Sequence, residues 1–413
     1  MIGGPDRPAA APTTTNPILW GAYLACSWTW CIGMFLPALL LRDHGWLGFA
    51  IFAVPNCVGA AAMGWVMRTP ESSRRFVERH ANAVRWFAIV TIGYHIYWIA
   101  WVMPNLRDAL PMPDPYLFGG GAVGVAFAIV SGRAIRMGAA PRLAMALLVL
   151  SVGVLGAMVL TGDGAGATET LVARSDPGPS TWSLAPLACF GFLLCPYLDP
   201  TFHHAREHLP TPRAARLAFG IGFLVFFALM ILLTTRYAGV LALGIEGDTA
   251  LVPVLSPLIA AGVLAHILCQ WIFTVRVHLD RVRAVSDADP VLIQSLFGVA
   301  LISGLLGLMV PRLAPHAGLG AGEIGYRAFL WFYGLVFPCI VLYSAVRRRA
   351  DRVPLQRGIM LGAIAVATPM FWLGFIERSS FWLVPGVLVA VVGAFVLRAQ
   401  PGEDTLRRGA HEG

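Results

Sequence analysis

The sequence contains no lysine and little charge of either sign. Charged side chains make up 13% of its 413 residues, which is about half the share in an ordinary soluble domain. Hydrophobic residues make up 57%, and the mean hydropathy is +0.71. One compact soluble domain cannot bury so much apolar side chain, and a disordered chain has the opposite composition. Both classes are therefore excluded.

Cysteine is missing from the polar segments, since all seven cysteines fall inside apolar stretches. An extracellular disulfide framework is therefore excluded. The sequence also lacks a Walker A loop, a GxSxG-type elbow, an HExxH pair and a CxxC pair, so nothing points to ATP hydrolysis, acyl transfer or a zinc site. We expect no enzymatic activity, no cofactor and no metal site.

Apolar stretches long enough to cross a bilayer dominate what is present, because a spanning helix needs about 20 residues. We predict an all-α polytopic membrane protein with about 12 transmembrane helices. The spans are residues 17–41, 45–67, 83–103, 116–132, 142–161, 181–202, 213–235, 253–275, 290–310, 327–346, 358–376 and 380–398. The fourth span is the weakest, because its glycines lower the helix propensity.

The positive charge consists of arginine alone, and most arginines lie between apolar stretches on the side of the N-terminus. The net charge of +8 therefore indicates membrane topology and not nucleic-acid binding. The positive-inside rule predicts cytoplasmic tails at residues 1–16 and 399–413. We expect the protein in a bacterial inner membrane.

Twelve spans fit two transporter plans, six plus six or five plus five followed by two helices. The loop between spans six and seven is only about ten residues long, which disfavours the six-plus-six plan. We therefore predict a ten-helix transport core at residues 17–346, with repeat one at 17–161 and repeat two at 181–346. Residues 347–398 would form the two additional helices.

The sixth span contains a predicted interruption, because residues 195–200 read CPYLDP. Pro196 removes a backbone donor, while Asp199 and Pro200 are a preferred N-cap and a preferred first helical residue. A second half-helix would start there. The alternative is that span six ends at Tyr197 and that Asp199 caps a cytoplasmic surface helix.

The first span matches the sixth at a constant offset of 163 residues, where both read Leu-Ala-Cys followed later by proline. The five-plus-five plan predicts that these two spans are both interrupted, at about Cys31–Gly33 and Cys195–Leu198. Broken helices persist inside a membrane only where their freed backbone groups line a cavity or contact protein.

Three titratable residues are candidates for coupling or gating. Asp199 is the only acidic residue that the sequence places inside a span, where charges are costly and mark ion paths. Its alternative role is the N-cap alone. His95 and His266 lie near mid-span, where imidazole suits substrate binding or a proton relay. Their alternative role is as buried core groups.

Aromatic residues cluster in the same helices, and Tyr94, Trp98 and Trp101 form one helical stripe. A stacking wall for a flat or cationic solute is one interpretation, and core packing is the other. The histidines at 203, 204 and 208 form one histidine box, which is too few for a di-iron site. A solvated helix explains them instead.

Residues 27–33, SWTWCIG, followed by GWLG at 45–48, are similar to sodium:solute symporters, and the segment Pro196–Arg206 resembles the end of the sixth helix of nucleobase-cation symporters. With the ten-plus-two plan, these motifs resemble the amino acid-polyamine-organocation (APC) superfamily, which has the LeuT fold. The resemblance implies a central substrate site between broken helices one and six. Its predicted substrate-binding residues are Trp28, Trp30, Cys31, Ile32, Gly33, Tyr94, His95, Trp98, Cys195, Pro196, Tyr197, Leu198, His266 and Gln270.

One departure from these families concerns sodium. Sodium-coupled members carry adjacent hydroxyls on span eight, where this chain has apolar residues, His266 and Gln270, and Thr274 is the one hydroxyl in the second half of the span. A proton is therefore favoured over sodium as the coupling ion, with Asp199, His266 and His95 as the coupling or gating residues.

The function that these patterns favour is secondary active transport of a small organic solute by alternating access. The expected partners are a small-molecule substrate, a coupling ion and the lipid bilayer, without nucleic acid. One alternative is a transporter-derived membrane sensor or an uncoupled subunit. A further alternative is a membrane redox or metal protein that uses His95, His266 and the cysteines Cys26, Cys31, Cys189 and Cys195.

Overall fold

The computed structural model describes residues 15–105, 120–122, 124–126, 139–246, 255–285, 290–346 and 353–399. Most of the fourth predicted span and nearly all of both tails lie outside these residues. Fourteen helices within the longer described segments are numbered in chain order. They are α1 (Pro17–Trp28), α2 (Cys31–Val66), α3 (Pro70–Arg79), α4 (Ala81–Asn105), α5 (Ala140–Thr161), α6 (Ala165–Ala173), α7 (Leu184–Leu194), α8 (Pro200–Glu207), α9 (Pro212–Glu246), α10 (Pro257–Val285), α11 (Pro290–Met309), α12 (Ala321–Val346), α13 (Val353–Phe375) and α14 (Leu383–Ala399).

Ten helical segments of the described chain are long and apolar enough to cross a membrane. Many large apolar side chains cover the outside of the bundle, including Leu160 and Leu258, which are 89% and 82% exposed. Water does not tolerate an apolar surface of that extent, whereas lipid does. The chain is an all-α polytopic membrane protein.

Helix α2 is too long for one crossing. Its 36 residues extend about 54 Å at 1.5 Å per residue, against about 30 Å of hydrocarbon. Gly45 interrupts it with a φ of +59°, a conformation that glycine adopts without the steric penalty of a Cβ atom. The two parts of α2 on either side of Gly45 are called its first and second arms.

The two arms of α2 run in opposite directions along α9. Gly33 in the first arm packs against Phe227, and Arg42 near the end of that arm pairs with Glu246 at the end of α9. Gly64, near the end of the second arm, packs against Phe219, which precedes Phe227 in α9. The chain therefore turns back at Gly45.

The first span is interrupted two residues before the predicted position. Helix α1 ends at Trp28 and α2 begins at Cys31, so Thr29 and Trp30 lie between them outside any helix. The hydroxyl of Thr29 donates to the carbonyl of Ala25 at 2.8 Å, which satisfies one of the carbonyls left free where α1 ends.

The sixth span is interrupted at the predicted residues. A 3₁₀ turn covers Cys195–Leu198, Asp199 is extended, and α8 starts at Pro200. Asp199 accepts from the backbone N–H of Thr201 at 2.7 Å, so the predicted N-cap is confirmed. Helix α8 is buried from its first residue through Arg206, and the surface-helix alternative is wrong.

The broken helices α1–α2 and α7–α8 are antiparallel. Near the start of α7, Thr181 lies 3.3 Å from His44 Nδ1, at the end of the bundle that holds Asp43. At the opposite end, Trp20 of α1 stacks on His208 at 5.0 Å. Helix α3 packs on α8 there, so the two ends are called the Asp43 end and the α3 end.

Candidate functional site

The two interruptions meet in the buried centre of the bundle. The hydroxyl oxygens of Ser27, in the last turn of α1, and Thr201, in the first turn of α8, lie 3.0 Å apart, and both residues are fully buried. The rings of Trp28 and Phe202 lie 5.0 Å apart on the same contact. One buried contact therefore joins the two points where the helices break.

Helix α10 holds the end of α1. Gln270 Nε2 and Thr274 Oγ1 both donate to the carbonyl oxygen of Cys26, the latter at 3.3 Å. The predicted site residue Gln270 thus contacts the broken segment. The hydroxyl of Thr274 reaches the same carbonyl, so α10 does supply one hydroxyl at the level of the interruption.

Trp30 fills the space between the interruptions. Its ring is fully buried, with centroid distances of 4.3 Å to Trp28, 5.3 Å to Phe87, 5.2 Å to Tyr333 and 5.5 Å to His278. Aromatic packing of this kind fixes a ring through many weak contacts. Trp30 therefore closes the centre of the bundle in this conformation.

Asp199 is bound on one side only. Its Oδ1 accepts from the backbone N–H of Thr201 at 2.7 Å and from the hydroxyl of the same residue at 2.6 Å. Its Oδ2 lies 3.5 Å from Nε2 of His278, and neither atom makes a hydrogen bond to any described residue. Both side chains are fully buried, and His278 joins the site as a residue that the sequence did not single out.

His95 and His266 are also fully buried. Nδ1 of His266 lies 2.8 Å from the hydroxyl of Ser151 in α5, which gives that histidine a structural partner. The backbone oxygen of His95 accepts from Trp271 Nε1 at 3.0 Å, and its ring nitrogens have no hydrogen-bond partner in the part of the chain that the structure describes. Neither histidine lines the cavity described next, and their shared role in one site stays a prediction.

A cavity of about 250 Å³ extends from the interruption toward the Asp43 end. Ile32 and Tyr333 line its inner end, while Asp43, Arg327 and Arg378 line its outer end. Both arms of α2, α7, α12 and the end of α13 form its walls. Most of the side chains between the two ends are apolar: Leu36, Leu39, Leu40, Ile51, Phe52, Leu184, Leu187, Phe192 and Leu330.

The other predicted substrate residues lie around this cavity and not on its wall. Cys195 Sγ donates to the carbonyl of Tyr333 at 3.2 Å, and Tyr94 packs on Phe329 at 4.5 Å. Trp98 is fully buried. The cavity therefore meets the predicted site at Ile32, beside the Trp30 ring that closes the centre.

An ion network closes the outer end of the cavity. Arg42 pairs with Asp43 at 2.8 Å and with Glu323 at 2.6 Å. Arg327 pairs with the same two carboxylates at 2.5 and 2.7 Å, and Arg378 reaches Asp43 at 3.2 Å. The side chains of Asp43 and Glu323 are only 7% and 4% exposed, so this network ties α2 to α12 in a protected environment.

The sequence missed the acidic residues of this region. Four acidic residues lie on helices of membrane length, because the helices extend beyond the predicted spans: Asp43 on α2, Glu246 on α9, Asp280 on α10 and Glu323 on α12. The prediction that Asp199 is the only acidic residue inside a span is therefore wrong. The four-residue spacing of Glu323 and Arg327 is a sequence signal that indicates their pairing.

Tyr333 links the cavity to the centre. It lies in a π-helical turn, Phe332–Val336, a deviation that often marks functional sites in helices. Its hydroxyl shares a hydrogen bond with the hydroxyl of Thr91, and its ring contacts Trp30. A movement of the Trp30 ring would therefore change the packing of Tyr333 at the inner end of the cavity.

The histidines of α8 are not solvated, which corrects the sequence interpretation. His203 is bound 2.7 Å from the hydroxyl of Ser73, and His204 Nδ1 lies 2.8 Å from a nitrogen of Arg281. Over the ranges that the structure covers, no three His, Cys, Asp or Glu side chains are placed to hold a metal ion. All seven cysteines, which lie in those ranges, are free thiols.

The fold and the site define the class of an all-α polytopic membrane protein with a buried centre between two broken, antiparallel helices. No protein-family model and no curated protein matches the sequence. The likeness to the APC superfamily therefore rests on the residues of this chain alone and stays a prediction.

Proposed function

We propose that this protein is a secondary active transporter of a small organic solute and that it works by alternating access on a LeuT-like plan of the APC superfamily. The observation that carries the proposal is the buried contact between Ser27 and Thr201, which joins two broken, antiparallel helices at the inner end of a cavity. Discontinuous helices of this kind form substrate sites in secondary transporters.

The number of crossings supports the same plan. The ten candidate segments include α2, whose arms turn back at Gly45, and the predicted fourth span would add one more crossing. The sum is twelve crossings, the number that a five-plus-five inverted repeat with two additional helices requires. In this proposal the arginine-rich α3 end is cytoplasmic and the Asp43 end faces outward, as the positive-inside rule predicts.

The transport cycle that we propose uses two closures. The ion network at Asp43 and Glu323 closes the outer end, and Trp30 closes the inner end of the cavity. Separating α2 from α12 would open the outer closure, and moving Trp30 would admit solute to the interruption. The apolar walls favour a solute with an apolar body, and the polar groups at the inner end would orient it.

A thermal-shift screen of amino acids, nucleobases, sugars and osmolytes tests this proposal. A ligand that binds only the folded state raises the melting temperature by mass action. We expect one class of solute to do so, and Leu187→Trp, which fills the cavity, to remove the effect. Leu258→Trp on the lipid-facing surface is the matched control and should keep it.

The transport proposal is rejected if no solute in the screen raises the melting temperature, or if the stabilising solute acts equally on Leu187→Trp. Uptake of that solute into proteoliposomes then separates a transporter from a binding protein.

A transporter-derived sensor or uncoupled subunit is the second candidate. The closed packing of Trp30 against Trp28, Phe87 and Tyr333 favours it, because a protein that never opens its centre needs no space there. Stabilisation by a solute without uptake of that solute would support this candidate.

A further inference from the structure

Asp199 and His278 present two hydrogen-bond acceptors to each other. Nδ1 of His278 lies 2.9 Å from the backbone oxygen of Thr274. A carbonyl oxygen only accepts, so Nδ1 carries the hydrogen of this bond. In a neutral imidazole Nε2 then carries a lone pair, and that lone pair faces Oδ2 of the Asp199 carboxylate at 3.5 Å.

A single proton resolves this conflict. With a proton on Nε2 or on Oδ2, one of the two facing atoms becomes a donor, and the pair changes from one net negative charge to neutral. A buried carboxylate without a compensating charge costs several kcal/mol, so the burial of both side chains favours the pair that carries the proton, which is called the loaded form. Thr201 binds the other carboxylate oxygen and leaves Oδ2 free for this exchange.

Titratable groups on four helices interact electrostatically with the pair. Tyr23 of α1, His95 of α4, His203 of α8 and Tyr333 of α12 are close enough to interact electrostatically with one or the other member. Among these, His203 has two hydrogen-bond partners of its own, the hydroxyl of Ser73 and the carbonyl of Tyr197. His203 lies on α8 itself, and the experiment below tests it separately.

We propose that Asp199 and His278 form a one-proton site and that its occupancy decides whether α8 stays joined to α10. The proton bridges the first turn of α8 to α10 in the loaded form, and its loss leaves two acceptors that repel each other. Because α8 is the half-helix that contacts α1 at Ser27, the proton would control the joint between both broken helices. This inference rests on the proposed transport function and assigns its coupling proton.

Hydrogen exchange of the α8 amides tests the proposal on the full-length protein in nanodiscs, without any solute. After correction for intrinsic exchange, we expect α8 to exchange on the order of tenfold faster at high pH than at low pH, through one transition that follows one proton. The transition should disappear in Asp199→Asn and in His278→Gln. Asparagine is a good N-cap, so Asp199→Asn removes the charge while it keeps the cap of α8.

His203→Gln is the matched control, because it replaces a second buried histidine beside the same half-helix, and it should keep the transition. The proposal is overturned if wild-type α8 shows no transition, if either pair variant retains it, or if His203→Gln removes it. It is also overturned if added sodium at constant pH slows α8 exchange as protons do. The outcome is independent of the solute screen, so a failed screen rejects transport alone and a failed exchange test rejects the proton site alone.

Discussion

Two buried carboxylates of this protein have opposite surroundings. Asp43 is contacted by Arg42, Arg327 and Arg378, and both of its oxygens are paired. No arginine of the described ranges pairs with Asp199, and one of its oxygens faces a histidine nitrogen at 3.5 Å. A carboxylate among arginines stays ionised and holds helices together, whereas a carboxylate opposite a histidine changes charge with one proton.

This difference assigns different tasks to the two regions. In the proposed cycle, the Asp43 end opens only when several ion pairs separate together. The Asp199 region is a contact whose strength depends on proton occupancy. The substitutions below are ordered from the largest expected effect to the smallest, and each one tests this contrast.

Removing Arg327 should have the largest effect on stability. Arg327→Gln leaves Asp43 and Glu323 with one fewer buried cation, and losing one partner of a buried pair costs about 3–5 kcal/mol. A large fall in the melting temperature in detergent is expected. Arg378→Gln is the matched control, because the Arg378 side chain is 46% exposed and exposed pairs contribute about 0–1 kcal/mol. Equal melting temperatures for the two variants would contradict the proposed role of the ion network at the Asp43 end.

The same substitution, aspartate to asparagine, should lower stability by different amounts at Asp43 and Asp199. Asp43→Asn removes one of the two carboxylates that hold these arginines, and we expect a loss of about 3 kcal/mol, the low end of the range for a buried pair, because Glu323 still pairs with Arg42 and Arg327. Asp199→Asn should change stability by less than about 1 kcal/mol, because asparagine keeps the N-cap and the lost charge has no cation partner. Thermal unfolding of both variants at the same pH measures the contrast. A larger loss for Asp199→Asn would reverse the assignment.

The turn that positions Asp43 should be sensitive to any side chain. Gly45→Ala places a Cβ atom on a residue with a φ of +59° and a ψ of −158°, a conformation that costs a side-chain-bearing residue about 1–3 kcal/mol. The added atom would also meet the hydroxyl of Ser175 at 2.9 Å. Gly153→Ala is the control, because that glycine lies within α5 and its Cβ would meet open space. If the Gly45→Ala and Gly153→Ala variants have the same melting temperature, the turn does not constrain the Asp43 end.

The local parts of this contrast could be predicted from the sequence. Pro196, Asp199 and Pro200 specify the second interruption through backbone donors and an N-cap, which act within a few residues. The first interruption lies two residues before its predicted position, because Thr29 and Trp30 carry no comparable local signal. The helical class follows from the apolar stretches alone.

The residues that define the two regions depend on tertiary packing. His278 lies beyond the predicted end of its span at residue 275, where arginine and aspartate suggest water, yet it is fully buried. Asp43 and Arg327 are 284 residues apart in the chain. Neither hydropathy nor spacing reports that such residues meet.

Solute uptake into proteoliposomes tests the central claim of proton-driven transport most directly. With the solute found by thermal shift, an inward proton gradient should drive accumulation, a protonophore should abolish it, and Asp199→Asn should lose the gradient-driven part. Accumulation driven by a sodium gradient without a pH difference, or no uptake of a solute that binds, would contradict the account.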